Sequence, residues 1–277
     1  MQCEELNWQA ADGAELFARC WRPTADPVGA ICLIHGLGEH SGRYAEIAAR
    51  YTEAGYAMLA FDLRGHGRSS GPRGHYPSFD AVLDDIGLLL HHARQMWPNN
   101  PRALYGHSLG GNLALNYVLR RGADGLSGVI ATSPGLRPGF AVPAWKTALG
   151  QVLYTLWPTF SMPNGLDRAG LSRRPEVIQA YNTDPLVHDH ISARFGLDFL
   201  RAGEWAIARA ENFPLPLLLM AGSADRLVST AAIAEFAEKA GPRCVFKRWD
   251  GLYHETHNEP EREQVIQFAL AWLNQLR

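Results

Sequence analysis

Short apolar runs recur along the chain, each separated from the next by a stretch whose apolar residues fall three or four apart. The runs Ala30–Ile34, Ala57–Phe61, Ala103–Tyr105, Val129–Thr132 and Leu215–Ala221 are apolar nearly throughout, and Cys244–Trp249 is apolar but for Lys247 and Arg248. A strand half-exposed to water would alternate; a continuous run predicts a strand covered on both faces. The segments between them read as helices. Residues 42–54 end at Gly55, which suits a helix C-cap. Ser78 is placed to N-cap a helix carrying Phe79, Val82, Ile86, Leu89, Ala93 and Met96 on one stripe and stopping before Pro98. Leu109–Arg121, Thr230–Ala240 and Glu259–Leu276 complete the set. Alternating strands and helices predict an α/β fold with a mostly parallel central sheet and helices on both faces. Two further strands, near Leu6–Trp8 and Leu16–Trp21, mix polar and apolar residues as at a sheet edge.

One stretch breaks the rhythm. About 80 residues separate Thr132 from Leu215, where a βα or αβ connection takes about 2–6. The stretch is rich in proline and aromatic residues, and it predicts a helical insertion. The expected division is a core of residues 1–134 and 214–277 with a cap over 135–213. Within the cap, Trp145, Leu149, Val152, Leu156 and Phe160 fall near one helical face. That face either packs on the core or is a functional face turned to an apolar surface, as bulky apolar helices are at a bilayer. With few basic residues, any membrane contact would be transient.

The chain has 277 residues, 47% of them hydrophobic and 19% charged, enough for one large core. A net charge of −2 without basic clusters argues against nucleic acid as a partner. The first residues lack the basic-then-apolar pattern of a signal peptide, and no run approaches the ~20 apolar residues of a membrane span. The four cysteines have no metal or redox spacing. Cys32 and Cys244 lie in strand-like runs and read as small core residues in a reduced, cytoplasmic protein.

Chemistry enters with Gly106-His107-Ser108-Leu109-Gly110-Gly111. The serine falls where a strand ends and a helix begins, the setting of a nucleophile elbow. A hydroxyl needs a base, and the base an orienting carboxylate. In this kind of fold they follow in the order serine, acid, histidine. Asp225 follows the run Leu215–Ala221, and His254 lies in the loop after Cys244–Trp249. Asp250 competes for the acid but sits in the histidine's own loop, where it would shape a turn with Gly251. His257 competes for the base. Asn258-Glu259-Pro260 resembles a helix start, however, which would leave His257 at the exposed lip. Two N–H donors are needed for an oxyanion hole. Leu109 follows the nucleophile, and Leu37 lies in the glycine-rich loop after the first central strand. Gly36-x-Gly38 imitates a dinucleotide fingerprint, but the next glycine comes one position late. His188-x-His190 and His91-His92 show no third metal ligand, so neither a metal nor a cofactor is expected.

Several stretches together resemble the α/β-hydrolases, and within them the monoacylglycerol lipases and lysophospholipases. They are HGLGEHSGRY (35–44), FDLRGHGRSSGPRG (61–74), GHSLGG (106–111), the SP at 133–134, AGSADRLV (221–228) and GLYHETHNEPER (251–262). The resemblance implies the α/β-hydrolase fold and a cofactor-free Ser108–Asp225–His254 triad. It also implies Leu37 and Leu109 as oxyanion donors and a mobile cap admitting one acyl chain, which would make the face from Trp145 to Phe160 an acyl tunnel and a lipid-facing lip. The expected substrate is a small lipid ester, a monoacylglycerol first. Lysophospholipids stay open because Arg168, Arg173, Arg174 and Arg194 would meet a phosphate. A general carboxylesterase and a ligand-binding protein on the same scaffold are further alternatives. An aminopeptidase is less favoured, with only Glu204 and Asp198 to meet an α-amino group.

Overall fold

The computed structural model describes residues 1–123 and 125–276. In chain order its elements begin β1 (Gln2–Gln9), β2 (Glu15–Arg22), β3 (Gly29–Ile34), α1 (Ala45–Glu53), β4 (Tyr56–Phe61) and α2 (Phe79–Met96). Then come β5 (Arg102–His107), α3 (Leu109–Arg121) and β6 (Gly128–Thr132). The insertion holds α4 (Ala144–Leu156), β7 (Ser161–Pro163), α5 (Pro175–Thr183), β8 (His190–Ser192) and α6 (Ala193–Ile207). The chain closes with β9 (Leu217–Gly222), α7 (Thr230–Ala240), β10 (Cys244–Trp249) and α8 (Arg262–Leu273).

Eight strands form one sheet in the order β1-β2-β4-β3-β5-β6-β9-β10. β2 pairs antiparallel with both β1 and β4, and every other pairing is parallel. Successive side chains on a strand point to opposite faces, so β3 feeds two cores. Ala30, Cys32 and Ile34 pack with residues of α2, α3 and α7, and Ile31 and Leu33 with residues of α1 and α8. This is the two-faced parallel sheet that the apolar runs predict. Two details differ. β2 lies inside the sheet, with Leu16, Phe17, Ala18, Cys20 and Trp21 buried; β1 alone of that pair is the edge. β10 is the opposite edge, so Cys244 is half-buried while Cys32 is fully buried. Ser78 caps α2 as expected, its side chain accepting the Ala81 N–H at 3.1 Å.

One contact of the inserted segment with the core is made at α3, against which α6 packs. Asn112 Nδ2 donates to the carbonyl of Gly135 at 2.8 Å, and Asn116 Nδ2 to that of Ala202 at 3.1 Å, both buried on α3. α4 is different: its Leu149, Val152 and Leu156 are exposed, with Trp145 64% exposed and Leu156 78%. Packing of that face on the core, one of the two expectations for it, does not occur, because α4 turns its apolar stripe outward. Among the described residues, no helix is long and apolar enough to cross a membrane.

Candidate active site

β5, β9 and β10 run parallel, so their carboxyl ends and following loops gather at one edge of the sheet. Ser108 stands between β5 and α3 with φ 53° and ψ −114°, a backbone conformation costly for a residue with a side chain. The turn is this sharp because its neighbours lack Cβ atoms. A Cβ on Gly106 would lie 2.2 Å from the Gly110 carbonyl oxygen, and one on Gly110 would lie 2.1 Å from that of Ile34. Leu109 opens α3, so the positive end of the helix dipole faces the serine.

Asp225, in the loop after β9, has a fully buried side chain. Its Oδ1 accepts the N–H groups of Leu227 at 2.8 Å and Val228 at 3.1 Å, and its Oδ2 meets His254 Nδ1 at 2.8 Å. One oxygen is thus fixed by backbone, and the other takes a proton from Nδ1, leaving Nε2 as the acceptor. Burial opposes charge on His254. The Asp225 carboxylate and its hydrogen bond outweigh this and hold the imidazole above its ordinary pKa. Asp250 instead takes a hydrogen bond from Ser223 Oγ at 3.1 Å in the exposed turn.

His257 does not lie at an exposed lip. Residues Thr256–Asn258 form a single 3₁₀ turn and the helix starts only at Arg262, so the turn swings His257 inward. Its ring stacks on Tyr44 at 5.3 Å and meets His107 edge-on at 4.8 Å. Burial lowers its pKa.

Ser108, His254, Leu37 and Leu109 line one cavity of about 90 Å³. Its other walls are mainly apolar: Phe140, Leu166, Leu171, Phe199, Leu227 and Val228. None of the described α4 side chains lines it, so the acyl-tunnel expectation for that helix is not met. Arg137 reaches the same cavity but is held by Glu204 at 2.6 and 2.8 Å and by Glu235 at 2.5 Å.

Two features of the site escape a reading of the sequence. Ser133, after β6, also has positive φ (43°), and its Oγ donates to the His254 carbonyl at 2.7 Å, fixing the histidine loop. At the cavity wall, Arg43 bridges Glu39 and Glu255, which both line it, meeting the latter at 2.8 and 2.9 Å. Glu39 also accepts the Gly36 N–H at 2.6 Å and the Tyr44 hydroxyl at 2.7 Å. Burial would raise the Glu255 carboxyl, yet Arg43 beside it holds it down at about 2. Glu39, Arg43 and Glu255 all stand in the quoted motifs, but 212 residues separate Arg43 from Glu255, and only the fold pairs them.

The fold and the elbow at its centre define an α/β-hydrolase. A family model described as serine aminopeptidase, S33, matches residues 25–261. A monoacylglycerol lipase of Mycolicibacterium smegmatis is 33% identical, over 97% of this chain and 96% of that one. An abhydrolase domain-containing protein of Dictyostelium discoideum is 37% identical over 97% of this chain, which spans 29% of that longer protein. The crystal structure of Paleococcus ferrophilus monoacylglycerol lipase superposes with a TM-score of 0.85 at 32% identity, covering 100% of both chains. The chain belongs to the serine aminopeptidase S33 family of α/β-hydrolases.

Proposed function

We propose that this carboxylic ester hydrolase cleaves monoacylglycerols to fatty acid and glycerol through an acyl-enzyme on Ser108. The observation that carries the reading is the 2.8 Å Asp225–His254 pair, with His254 and the strained Ser108 facing one apolar cavity. His254 Nε2 takes the Ser108 proton as Oγ attacks the ester carbonyl. The oxyanion forms against the N–H groups of Leu37 and Leu109 at the N-terminus of α3. His254 then protonates the departing glycerol oxygen. Water enters, gives its proton to His254, and attacks the acyl carbon; as the second oxyanion collapses, His254 passes that proton to Ser108 Oγ, which frees the fatty acid and restores both residues. Asp225 holds the tautomer and compensates the imidazolium.

The charges around the cavity support an uncharged head group. Glu39 and Glu255 are engaged by Arg43, and Glu204 by Arg137, so an α-amino group would meet no unengaged carboxylate among them. Of the arginines that would meet a phosphate, Arg173 is paired with Glu259 and Arg174 with Glu176, while Arg168 binds Asn182 and Arg194 the Pro77 carbonyl. None of the four lines the cavity.

Residues 135–213 act in this reading as a cap on a core of 1–134 and 214–277. A cavity of about 90 Å³ is well below the roughly 300 Å³ at which ligand pockets begin, so cap side chains that wall it, such as Phe140, Leu166 and Phe199, move aside to admit the acyl chain. The outward face of α4 would touch a lipid surface transiently, since the helix carries one basic residue to hold it there. In this reading the protein works in the cytoplasm, a proposal that rests on four cysteines without metal or redox spacing.

The test is kcat/KM for monoacylglycerols of increasing chain length, p-nitrophenyl esters, lysophospholipids and aminoacyl amides, with Ser108→Ala as control. Monoacylglycerols should lead and improve with chain length until the cavity is filled. An aminoacyl amide ahead of every ester would overturn the reading.

A further inference from the structure

The loop that carries Leu37 is gripped from two directions. On the core side, Glu39 holds the Gly36 N–H. On the other side the grip comes from the inserted segment. The His188 N–H donates to the Gly38 carbonyl at 2.9 Å, and Asp184 Oδ2 meets His40 Nε2 at 2.8 Å. Gly38 has φ +76°, and a Cβ there would stand 2.3 Å from the His188 carbonyl oxygen, so the two backbones touch with no side chain between them.

The tautomer of His40 follows from its contacts. Nδ1 accepts the Gly42 N–H at 3.1 Å, capping the turn that leads into α1, so the ring proton sits on Nε2 and is donated to Asp184. Both partners are held in place. Asp184 is the C-cap residue of α5, and its Oδ1 accepts the Leu186 N–H at 2.8 Å. Ser41, next to His40, gives its N–H to Asp62 Oδ1 at 2.8 Å and its hydroxyl to the same oxygen at 2.5 Å. His40 is buried and Asp184 half-buried, so their hydrogen bond is partly shielded from water. The Leu37 N–H lies between two fixed points, the Gly36 N–H and the Gly38 carbonyl. Fixed neighbours on both sides resist rotation of the peptide plane, the preorganisation that an oxyanion donor requires.

We infer that Asp184 and His40 are positioning residues for the oxyanion hole, so that seating of the inserted segment completes the hole and its lifting disarms it. This rests on the reading of Leu37 as an oxyanion donor. Binding of the acyl chain and assembly of the catalytic geometry then become one event. A chain that draws the cap down arms the site, and the open form exposes Ser108 without a complete hole.

The test uses p-nitrophenyl acetate, whose acyl group is too short to depend on the cap for binding. Asp184→Ala should lower kcat by about 10-fold or more with KM unchanged, because the loss falls on transition-state stabilisation alone. Asp184→Asn keeps an oxygen for the His40 Nε2–H and should restore most of the rate. His40→Ala combined with Asp184→Ala should lose no more than the worse single variant, since both remove one link. Thermal melting of each variant separates a loosened loop from a lost fold. The inference is overturned if Asp184→Ala keeps its kcat, if the Asn and Ala variants are equally impaired, or if the two losses add. Ser108→Ala on the same substrate reports the underlying reading. Turnover surviving that change overturns both, whereas an inactive Ser108→Ala beside a fully active Asp184→Ala overturns the inference alone.

Discussion

The strand β4 and the helix α4 are both largely apolar, yet they meet opposite fates. Tyr56–Phe61 is buried at every position, while Trp145, Leu149, Val152 and Leu156 on α4 face outward. The core supplies both surfaces of each contact: β2 and β3 flank β4 in the sheet, and helices close both faces. α4 supplies one surface only. Apolar spacing reports that a face seeks burial; it does not report whether the covering surface belongs to the same chain.

If the chemistry belongs to the core and the apolar face of α4 to substrate delivery, changes in the two regions should differ in kind. The largest effect is expected for Ser108→Ala, with kcat on any ester falling by about 10⁵-fold or more, read by steady-state turnover of a p-nitrophenyl ester. Asp225→Asn should follow at about 10⁴-fold, because the imidazole loses its tautomer control. The same variant carries a pH signature. The base works neutral, so kcat/KM rises with pH as His254 loses its proton. In the wild type this limb should lie above the ordinary imidazole value, because Asp225 favours the charged form more strongly than burial disfavours it. Without the carboxylate, the limb of the residual activity should move to lower pH.

Stability gives the next contrast. Leu104→Ala in β5, fully buried, should cost about 2–5 kcal/mol in denaturant unfolding. Leu149→Ala on α4, 43% exposed, should stay within about 0.5 kcal/mol. The smallest effect on turnover is expected for Leu156→Ser with Trp157→Ser, 78% and 58% exposed in the native chain. Sedimentation with phosphatidylcholine vesicles should show weaker binding by about 10-fold, in line with ~1 kcal/mol or more for removing a large apolar group from a lipid surface, while turnover of p-nitrophenyl acetate stays unchanged. Equal loss on the dissolved ester would break the division between the regions.

What could be read before folding follows the same line. The core strands, the capped α2 and the elbow turn at Ser108 depend on neighbours close in sequence and were legible, though β2 proved internal and the short β7 and β8 of the insertion were not foreseen. The arrival of the loops carrying Ser108, Asp225 and His254 at one edge was also legible, because a parallel sheet delivers successive loops there. His257 was misplaced because Asn258-Glu259-Pro260 has the composition of a helix start. The chain first makes a 3₁₀ turn, which buries the ring against Tyr44. The link from Arg43 to Glu39 and Glu255, and that from Asp184 to His40, join residues whose partners are set by the completed fold. The outward direction of α4 was hidden for a related reason, since a stripe is symmetric between facing a core and facing a lipid.

Ser108 and Ser133 are the two described residues other than glycine with positive φ, and both meet the site, one as its candidate nucleophile and the other through the His254 carbonyl. A glycine at either place would adopt the same backbone without penalty. The fold therefore holds its backbone tension at its working end and leaves the rest of the described chain relaxed in this respect. Selection for thermal endurance alone would relax these two positions and abolish or unsettle the activity. A more durable form of this molecule, if it is to stay active, has to be sought in the strands and helices that carry the site rather than in the two turns that make it.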